Sequence, residues 1–219
     1  MTKPAKSLPE KIIHQGKYCR LEPINTKNHS KDLWLHAGCD EEVWTYLSNG
    51  PFADEQSFSD WLKLCENHPS RTYYSIIDQN SSALGAFCLM DYDLNHATVE
   101  LGGIFFSKKL QKTTIATEAV YLLSRYAFEN LAFRRLQWKC HVENQPSEKA
   151  AKRFGFKEEG ILRNHWIVKG KSRDSKFFSI IESEWSDRQS AFEKWLDEKN
   201  FDKEGKQKQK LEEFRAGHN

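Results

Sequence analysis

The sequence has few cysteines and no long hydrophobic run. No apolar stretch approaches the roughly 18 residues that a helix needs to cross a bilayer, and the beginning, MTKPAKSLPEK, lacks the apolar segment of a secretory signal. The five cysteines are scattered without any CxxC spacing, so neither a disulfide framework nor a zinc ribbon is indicated. These absences predict a soluble, cytoplasmic protein with buried thiols in a reducing compartment.

An excess of charge of either sign is also missing. Lysine and arginine number 33 and aspartate and glutamate 31, which leaves a net charge of +2. This balance argues against a protein that mainly coats DNA or an anionic membrane, and allows at most a local basic patch. The chain does have 38% hydrophobic residues, including 14 Phe and seven Trp, which can fill a core and exclude a disordered or collagen-like chain.

The hydrophobic periodicity predicts an α+β (mixed α/β) domain with one mostly antiparallel sheet flanked by helices. The pattern predicts the following order of elements along the chain: a short strand, two helices, three strands, a long helix from about Thr114, a strand, a short helix ending near Gly155 and two more strands. We expect a flexible lead-in over residues 1–15, one domain over 16–185, and a helix with a charged tail over 186–219.

The most informative junction is IFFSKKLQKTTIATEAV, where a strand passes through a short loop into a helix. Unsatisfied backbone N–H groups and the positive end of the dipole make such a helix start suitable for phosphate. Lys108, Lys109 and Lys112 add positive charge nearby. The alternative is that Thr113 or Thr114 only caps the helix and that the lysines form a solvated rim.

Two segments carry a resemblance to a known family. The sequence resembles the GCN5-related N-acetyltransferases (GNAT), in the branch of ribosomal-protein acetyltransferases that modify α-amino groups. The resemblance lies in the stretches LQKTTIATEA and NQPSEKAAKRFGFKEEGILRNH, which are separated by a long helix and a strand. The family's phosphate signature is Q/RxxGxG/A. This chain supplies Gln111 and Ala116 but has Thr114 at the central glycine, where a Cβ crowds the pyrophosphate and a hydroxyl offers a hydrogen bond instead.

The resemblance implies a GNAT fold in which one parallel strand pair splays apart and holds acetyl-CoA, with no metal. The pantetheine arm would pair with backbone groups of one strand, as an added strand does. The cofactor-binding residues implied in this way are Ile104, Phe105 and Phe106 for the arm, and Gln111, Lys112, Thr113, Thr114, Ala116 and Thr117 for the phosphates.

The second motif places two polar residues at the start of the short helix. Asn144 and Ser147 stand where helix capping alone would explain them. By resemblance, Asn144 contacts the pantetheine amides, and the Ser147 hydroxyl lies near the sulfur and stabilises the departing thiolate. Arg153 is a candidate for the adenosine phosphates, although a solvated helix face explains it equally well.

Glu100 is the candidate general base, acting through a water, because it lies in the otherwise uncharged strand HATVELGG. The alternative is an ion pair with an arginine such as Arg163. Covalent catalysis is not indicated, since adjacent Cys140 and His141 point to opposite faces of a strand. Direct attack in a ternary complex is the simpler mechanism.

Family position assigns the acceptor to the loop WTYLSNGPF and the hairpin RNHWIVKGKSRD, although dense aromatics are more often core. The predicted function is acetylation of a primary amine, with a protein N-terminal α-amino group favoured. A small-molecule amine, a non-catalytic acyl-CoA-binding module and an RNA-binding domain stay open, as does the choice between monomer and homodimer. An RNA-binding role would rest on the basic rim formed by Lys169, Lys171 and Arg173.

Overall fold

The computed structural model describes residues 3–215 and contains one eight-stranded sheet. Its strands are β1 (His14–Gln15), β2 (Arg20–Pro23), β3 (Arg71–Ile77), β4 (Ala83–Asp93), β5 (Thr98–Phe106), β6 (Arg135–His141), β7 (Lys157–Val168) and β8 (Lys171–Ile181). They lie in the order β1-β2-β3-β4-β5-β6-β8-β7. Every pair is antiparallel except β5 with β6, which confirms the predicted class.

Five α-helices flank this sheet in the described part of the chain: α1 (Thr26–Leu33), α2 (Glu55–Glu66), α3 (Thr114–Arg125), α4 (Gln145–Phe154) and α5 (Glu182–Leu196). Local sequence sets their ends. The Asp54 carboxylate accepts the N–H of Ser57 at the start of α2, and Gly155 ends α4 in the left-handed conformation with φ 94°. No helix within residues 3–215 is long and apolar enough to cross a membrane.

Alternation along the strands builds a core on each face of the sheet. One face packs against α1 and α2 through a cluster that includes Trp44, Phe58 and Phe105. The opposite face packs against α3, α4 and α5 and includes Val99 and Trp138. Residues that are neighbours along β5 therefore belong to different faces, which decides where its polar side chains point.

The parallel pair separates after three residues. β5 and β6 are in register only at Thr98 with Arg135, Val99 with Leu136 and Glu100 with Gln137. Beyond this point β5 stays bonded to β4 and β6 stays bonded to β8. The two strands therefore diverge and leave an open cleft, as the resemblance implies.

A bulge in β5 accompanies the divergence. The register between β4 and β5 shifts between Ala86 and Cys88, where β5 carries one extra residue. Gly103 lies in this bulge at φ 60°, a conformation that favours glycine. A Cβ at this position would lie 2.9 Å from the Cys88 Sγ, so glycine fits both the backbone and the packing. The bulge bends β5 away from β6.

The segment before β2 has fixed contacts where the sequence indicated a flexible lead-in. The N–H of Ala5 donates to the carbonyl of Leu94 at 2.9 Å, and the N–H of Lys6 donates to that of Leu131 at 2.8 Å. Farther along, the Tyr74 hydroxyl donates to the Glu10 carbonyl at 2.6 Å. Hydrophobic periodicity does not predict this packing, because the bonds involve backbone groups of a polar segment. The domain limits at residues 16 and 185 stay predictions.

The segment after α5 packs in the same way. Leu211 is buried in the core on the α3 face, and the Arg215 guanidinium donates to the carbonyls of Lys152 and Arg153 at the end of α4. Residues 216–219 of the expected tail lie outside the described residues. The cysteines are free thiols, and Cys39 is exposed where burial was expected.

Candidate active site

The cleft between β5 and β6 has a helix start at each side. The backbone of Ile104 to Phe106 faces it beyond the last pair with β6, while the Phe105 side chain is buried in the opposite core. In addition to the pairing of this segment with β4, the carbonyl of Phe106 accepts a hydrogen bond from Gln111 Nε2 at 2.9 Å. Gln111 therefore fixes the loop to the end of β5, and through this contact it shapes the cleft.

The start of α3 retains free donors. Thr113 caps the helix, because its hydroxyl accepts the N–H of Ala116 at 3.1 Å. Within the described residues, the backbone N–H groups of Thr114 and Ile115 donate no hydrogen bond. Lys112 precedes the cap at φ 62°, in the left-handed region that non-glycine residues seldom adopt. Donors and charge here fit a diphosphate.

Two predicted phosphate ligands at α3 and α4 bind each other instead. The Thr117 hydroxyl is buried, donates to the carbonyl of Thr113 at 3.2 Å and accepts from Arg153 Nη1 at 3.0 Å. The Arg153 guanidinium also lies over the ring of Trp195, 4.9 Å from its centroid. Thr117 thus positions Arg153, and its hydroxyl proton is already donated to the Thr113 carbonyl rather than to a phosphate. The Lys108 ammonium also has other partners, since it forms ion pairs with Asp40 at 3.0 Å and Glu42 at 2.8 Å.

The start of α4 places Ser147 on the other side of the cleft. Asn144 caps this helix, since its side-chain oxygen accepts the Ser147 N–H at 3.1 Å. The Ser147 hydroxyl accepts the indole N–H of Trp138 at 3.0 Å. Because Trp138 lies on β6 just past the divergence, this bond fixes the hydroxyl at the cleft. Its own proton faces the buried Cys140 thiol, which is only a weak acceptor.

Glu100 forms a buried ion pair with a lysine rather than with an arginine. Its Oε2 lies 3.0 Å from Lys139 Nζ, and the two side chains are 5% and 6% exposed. The ion-pair alternative is thus realised with Lys139, whereas Arg163 lies exposed on β7. Burial raises the pKa of Glu100 above its ordinary value, and the charge of Lys139 opposes that rise.

The site is bounded on the α1–α2 face by a loop and a hairpin. The ring of Tyr46 lies 5.4 Å from that of His141 on β6. The Lys169 ammonium, at the tip of the β7–β8 hairpin, donates to the carbonyl of Trp44 at 2.8 Å. The indole of Trp44 is buried in the core, and the half-buried Phe52 packs against it. Of the three aromatic residues in the predicted acceptor-binding loop, Tyr46 is therefore the one that reaches the site.

Two charged residues of structural importance escaped the sequence reasoning. Lys139 could have been found, because alternation puts it on the Glu100 face of β6 and the parallel register sets it two residues beyond Gln137. Glu118 on α3 is buried and accepts the backbone N–H groups of Lys17, Tyr18 and Cys19 at 2.7 to 2.8 Å. No sequence signal links it to that loop.

No group of three or more His, Cys, Asp or Glu side chains within residues 3–215 is arranged to hold a metal ion. The cleft instead fits a long thioester with an anionic end, since unpaired strand edges lead from Ser147 and Glu100 towards the free N–H groups of Thr114 and Ile115.

Comparison with known proteins gives a consistent result. The family model of the acetyltransferase (GNAT) domain matches residues 19–157. A crystal structure of a GCN5-related N-acetyltransferase from Brucella melitensis has a TM-score of 0.93 and 38% identity, covering 97% of each chain. The curated "Uncharacterized N-acetyltransferase p20" of Bacillus licheniformis is 27% identical over 163 residues, which cover 71% of this chain and 89% of that protein.

A further curated relative is the "Putative ribosomal N-acetyltransferase YdaF" of Bacillus subtilis (strain 168). It is 31% identical over 106 residues, which cover 48% of this chain and 57% of that protein. The family model spans more than half of the 219 residues, and the splayed parallel pair and the helix start agree with it. The chain therefore belongs to the GNAT family of acetyltransferases.

Proposed function

We propose that this protein transfers the acetyl group of acetyl-CoA to a primary amine by direct attack in a ternary complex, and that the favoured acceptor is a protein N-terminal α-amino group. The observation that carries the proposal is the divergence of β5 and β6 after Glu100 and Gln137. Glu100 and Ser147 flank this opening from opposite faces of the sheet.

Glu100 is the group that removes a proton from the acceptor ammonium through a water. A carboxylate held in a buried site has a raised pKa and is a stronger base than one in water. Lys139 keeps it ionised by opposing the effect of burial. An α-amino group of pKa about 8 is already partly neutral, so a modest base is enough, whereas a lysine side chain of pKa about 10.4 demands more.

Ser147 assists on the leaving side. Because its oxygen already accepts from Trp138, its hydroxyl proton is directed to another acceptor. The thiol of Cys140 is a weak one, and the thiolate that the reaction produces in the cleft is a stronger one. A thiol of pKa about 8.5 needs little help in leaving. The hydroxyl therefore accelerates the step without being essential. Acetyl-CoA supplies the activated acyl group as a thioester. The free N–H groups of Thr114 and Ile115 and the charge of Lys112 support phosphate binding at this helix start.

Two observations support a polypeptide acceptor. The acceptor side is bounded by an exposed hairpin tip and a loop joined through Lys169, which offers an exposed rim to an extended chain. A relative is named for ribosomal N-acetylation. A polyamine is the less suitable small amine, because Lys139, Arg173 and Lys169 place positive charge around the site.

A thiol-release assay tests the proposal. Purified protein is mixed with acetyl-CoA and a panel of peptides and small amines, beside Glu100→Gln and Ser147→Ala. We expect release with peptides at the higher kcat/KM, a large fall in kcat for Glu100→Gln and a smaller one for Ser147→Ala. A higher kcat/KM for small amines would shift the acceptor class. Calorimetric binding of acetyl-CoA without turnover on any amine would support a non-catalytic acyl-CoA-binding module.

A further inference from the structure

Arg173 is a buried cation that forms no ion pair or hydrogen bond within the described residues. Only 7% of the residue is exposed, and its Nε is fully buried with no hydrogen-bond acceptor in the described part of the chain. The groups that act on its charge are Cys140 and Glu100, while burial lowers its pKa. Glu100 is already held by Lys139 at 3.0 Å. A buried Nε–H donor without an acceptor is costly to the fold.

The strand register directs Arg173 to the acceptor side. On β8 it stands opposite Trp166 of β7, and Ser175, on the same face two residues later, stands opposite His141 of β6. The guanidinium lies over the Trp166 ring, 5.4 Å from its centroid. Lys139 Nζ lies 4.1 Å from the same centroid. Trp166 therefore brings Arg173 next to the Lys139 and Glu100 pair at the base of the cleft.

The carboxylates near Arg173 are engaged by other cations. Glu100 is neutralised by Lys139, and Asp91, which lies 3.5 Å from Lys139, is half exposed and also acts on Arg71. Arg173 therefore has no carboxylate in contact with it, although Glu100 acts on its charge from a distance. The planar guanidinium offers several donors in a fork that matches a carboxylate, and stacking on an indole holds that fork in place while leaving its edge free.

We infer that Arg173 binds a carboxylate of the acceptor, so that the substrate is an amine carrying an acidic group within one or two residues of the nitrogen. This inference rests on the proposed function and specifies its substrate class. The carboxylate has two possible sources: the side chain of Asp or Glu near the start of a polypeptide, or the α-carboxylate of a free amino acid. Both supply the same chemistry to Arg173.

The test uses matched acceptors that differ only in the acid. Peptides with Asp at the first or second position are compared with their Asn counterparts, and alanine is compared with alaninamide, in wild type, Arg173→Met and Arg173→Lys. A charge-assisted pair of this kind is worth about tenfold or more in kcat/KM. The ratio of variant to wild type for each acceptor cancels differences in amine basicity.

We expect wild type to prefer the acidic member by at least about tenfold, and Arg173→Met to lose that preference. Lys171→Met, an equal loss of charge at an exposed position on β8, keeps it. Whichever pair, peptide or alanine, shows the Arg173-dependent preference identifies the source. Equal rates on both members in wild type, or an unchanged preference in Arg173→Met, would overturn the inference, as would an equal loss in Lys171→Met.

Two further measurements separate this inference from the proposed function. Calorimetry with CoA-loaded protein and an N-acetylated Asp peptide needs no turnover, and we expect its affinity to fall about tenfold or more in Arg173→Met. If wild type acetylates no amine, the proposed function fails while calorimetry still tests the carboxylate site. Equal binding of the Asp and Asn peptides by wild type would refute that site.

The Tm of Arg173→Met should be unchanged or raised, because an unpaired buried charge is removed. A clear fall in Tm would show a structural role and contradict the inference.

Discussion

Replacing Lys139 by Met tests the electrostatics of the site most sharply. Lys139 Nζ and the Glu100 carboxylate are 3.0 Å apart, and both side chains are almost fully buried. At an effective dielectric constant of about 20, two unit charges at this distance attract each other by about 5 kcal/mol before desolvation is counted. Removing one partner of a buried pair typically destabilises a fold by about 3 kcal/mol or more, so we expect a loss of about 3 kcal/mol at pH 8.

The pH dependence of this loss has a definite sign. Burial already raises the pKa of Glu100, and Lys139 opposes the rise; without the lysine the pKa rises further. The unpaired carboxylate then destabilises the fold above its folded-state pKa, and protonation relieves the penalty as the pH falls through it. The stability difference between Lys139→Met and wild type should therefore be smaller at pH 5 than at pH 8, as measured by urea unfolding.

Lys139→Met should also shift the pH dependence of kcat. The acid limb of kcat reports the base in the ternary complex, so in Lys139→Met it should shift to higher pH. Lys152→Met is the matched control, because this half-exposed lysine also holds two carboxylates, Glu148 and Glu158, and should shift neither profile. Adding Glu100→Gln to Lys139→Met should remove the additional pH dependence of stability that Lys139→Met introduces. An unchanged acid limb together with a pH-independent stability loss would refute the coupling.

Ser147→Ala should lower kcat about tenfold in the thiol-release assay, since a good leaving group needs little assistance; complete inactivity would contradict the assigned role. Gly16→Ala should lower the free energy of unfolding by about 2 kcal/mol, because its Cβ would lie 2.5 Å from Glu118 Oε2 and disturb that buried carboxylate; urea unfolding measures it, and a neutral result would refute the packing. Truncation after Gln209 removes buried Leu211 and should cost about 2 kcal/mol; an unchanged Tm would mean that the tail is an appendage after all.

The elements with regular periodicity were predictable from the sequence. The antiparallel strands β3, β4 and β5, the long helix α3 and the cap at Gly155 all follow from local patterns. β1 escaped because two residues, His14 and Gln15, carry no period. The packing of the lead-in and of the tail escaped for a different reason, since single bonds such as that of Ala5 to Leu94 join segments far apart in the sequence.

The cleft was predicted only through the family resemblance. Periodicity places β5 and β6 in the sheet but does not show where their pairing ends. The pair Gly102 and Gly103 inside a strand was the available local sign of a bulge. The partner of Glu100 depended on a non-local register, which is why Lys139 was missed. The sequence pattern places Arg173 in a basic rim, whereas in the structure it stands opposite Trp166 with its guanidinium over the indole ring.

The central claim is that the opening between β5 and β6 holds the thioester arm along β5. A crystal structure of the protein with CoA tests it most directly. We expect the pantetheine arm to be hydrogen-bonded to the backbone between Ile104 and Phe106, its sulfur near the Ser147 hydroxyl and the diphosphate at the N–H groups of Thr114 and Ile115. CoA bound elsewhere, with β5 and β6 still unoccupied between them, would contradict the account.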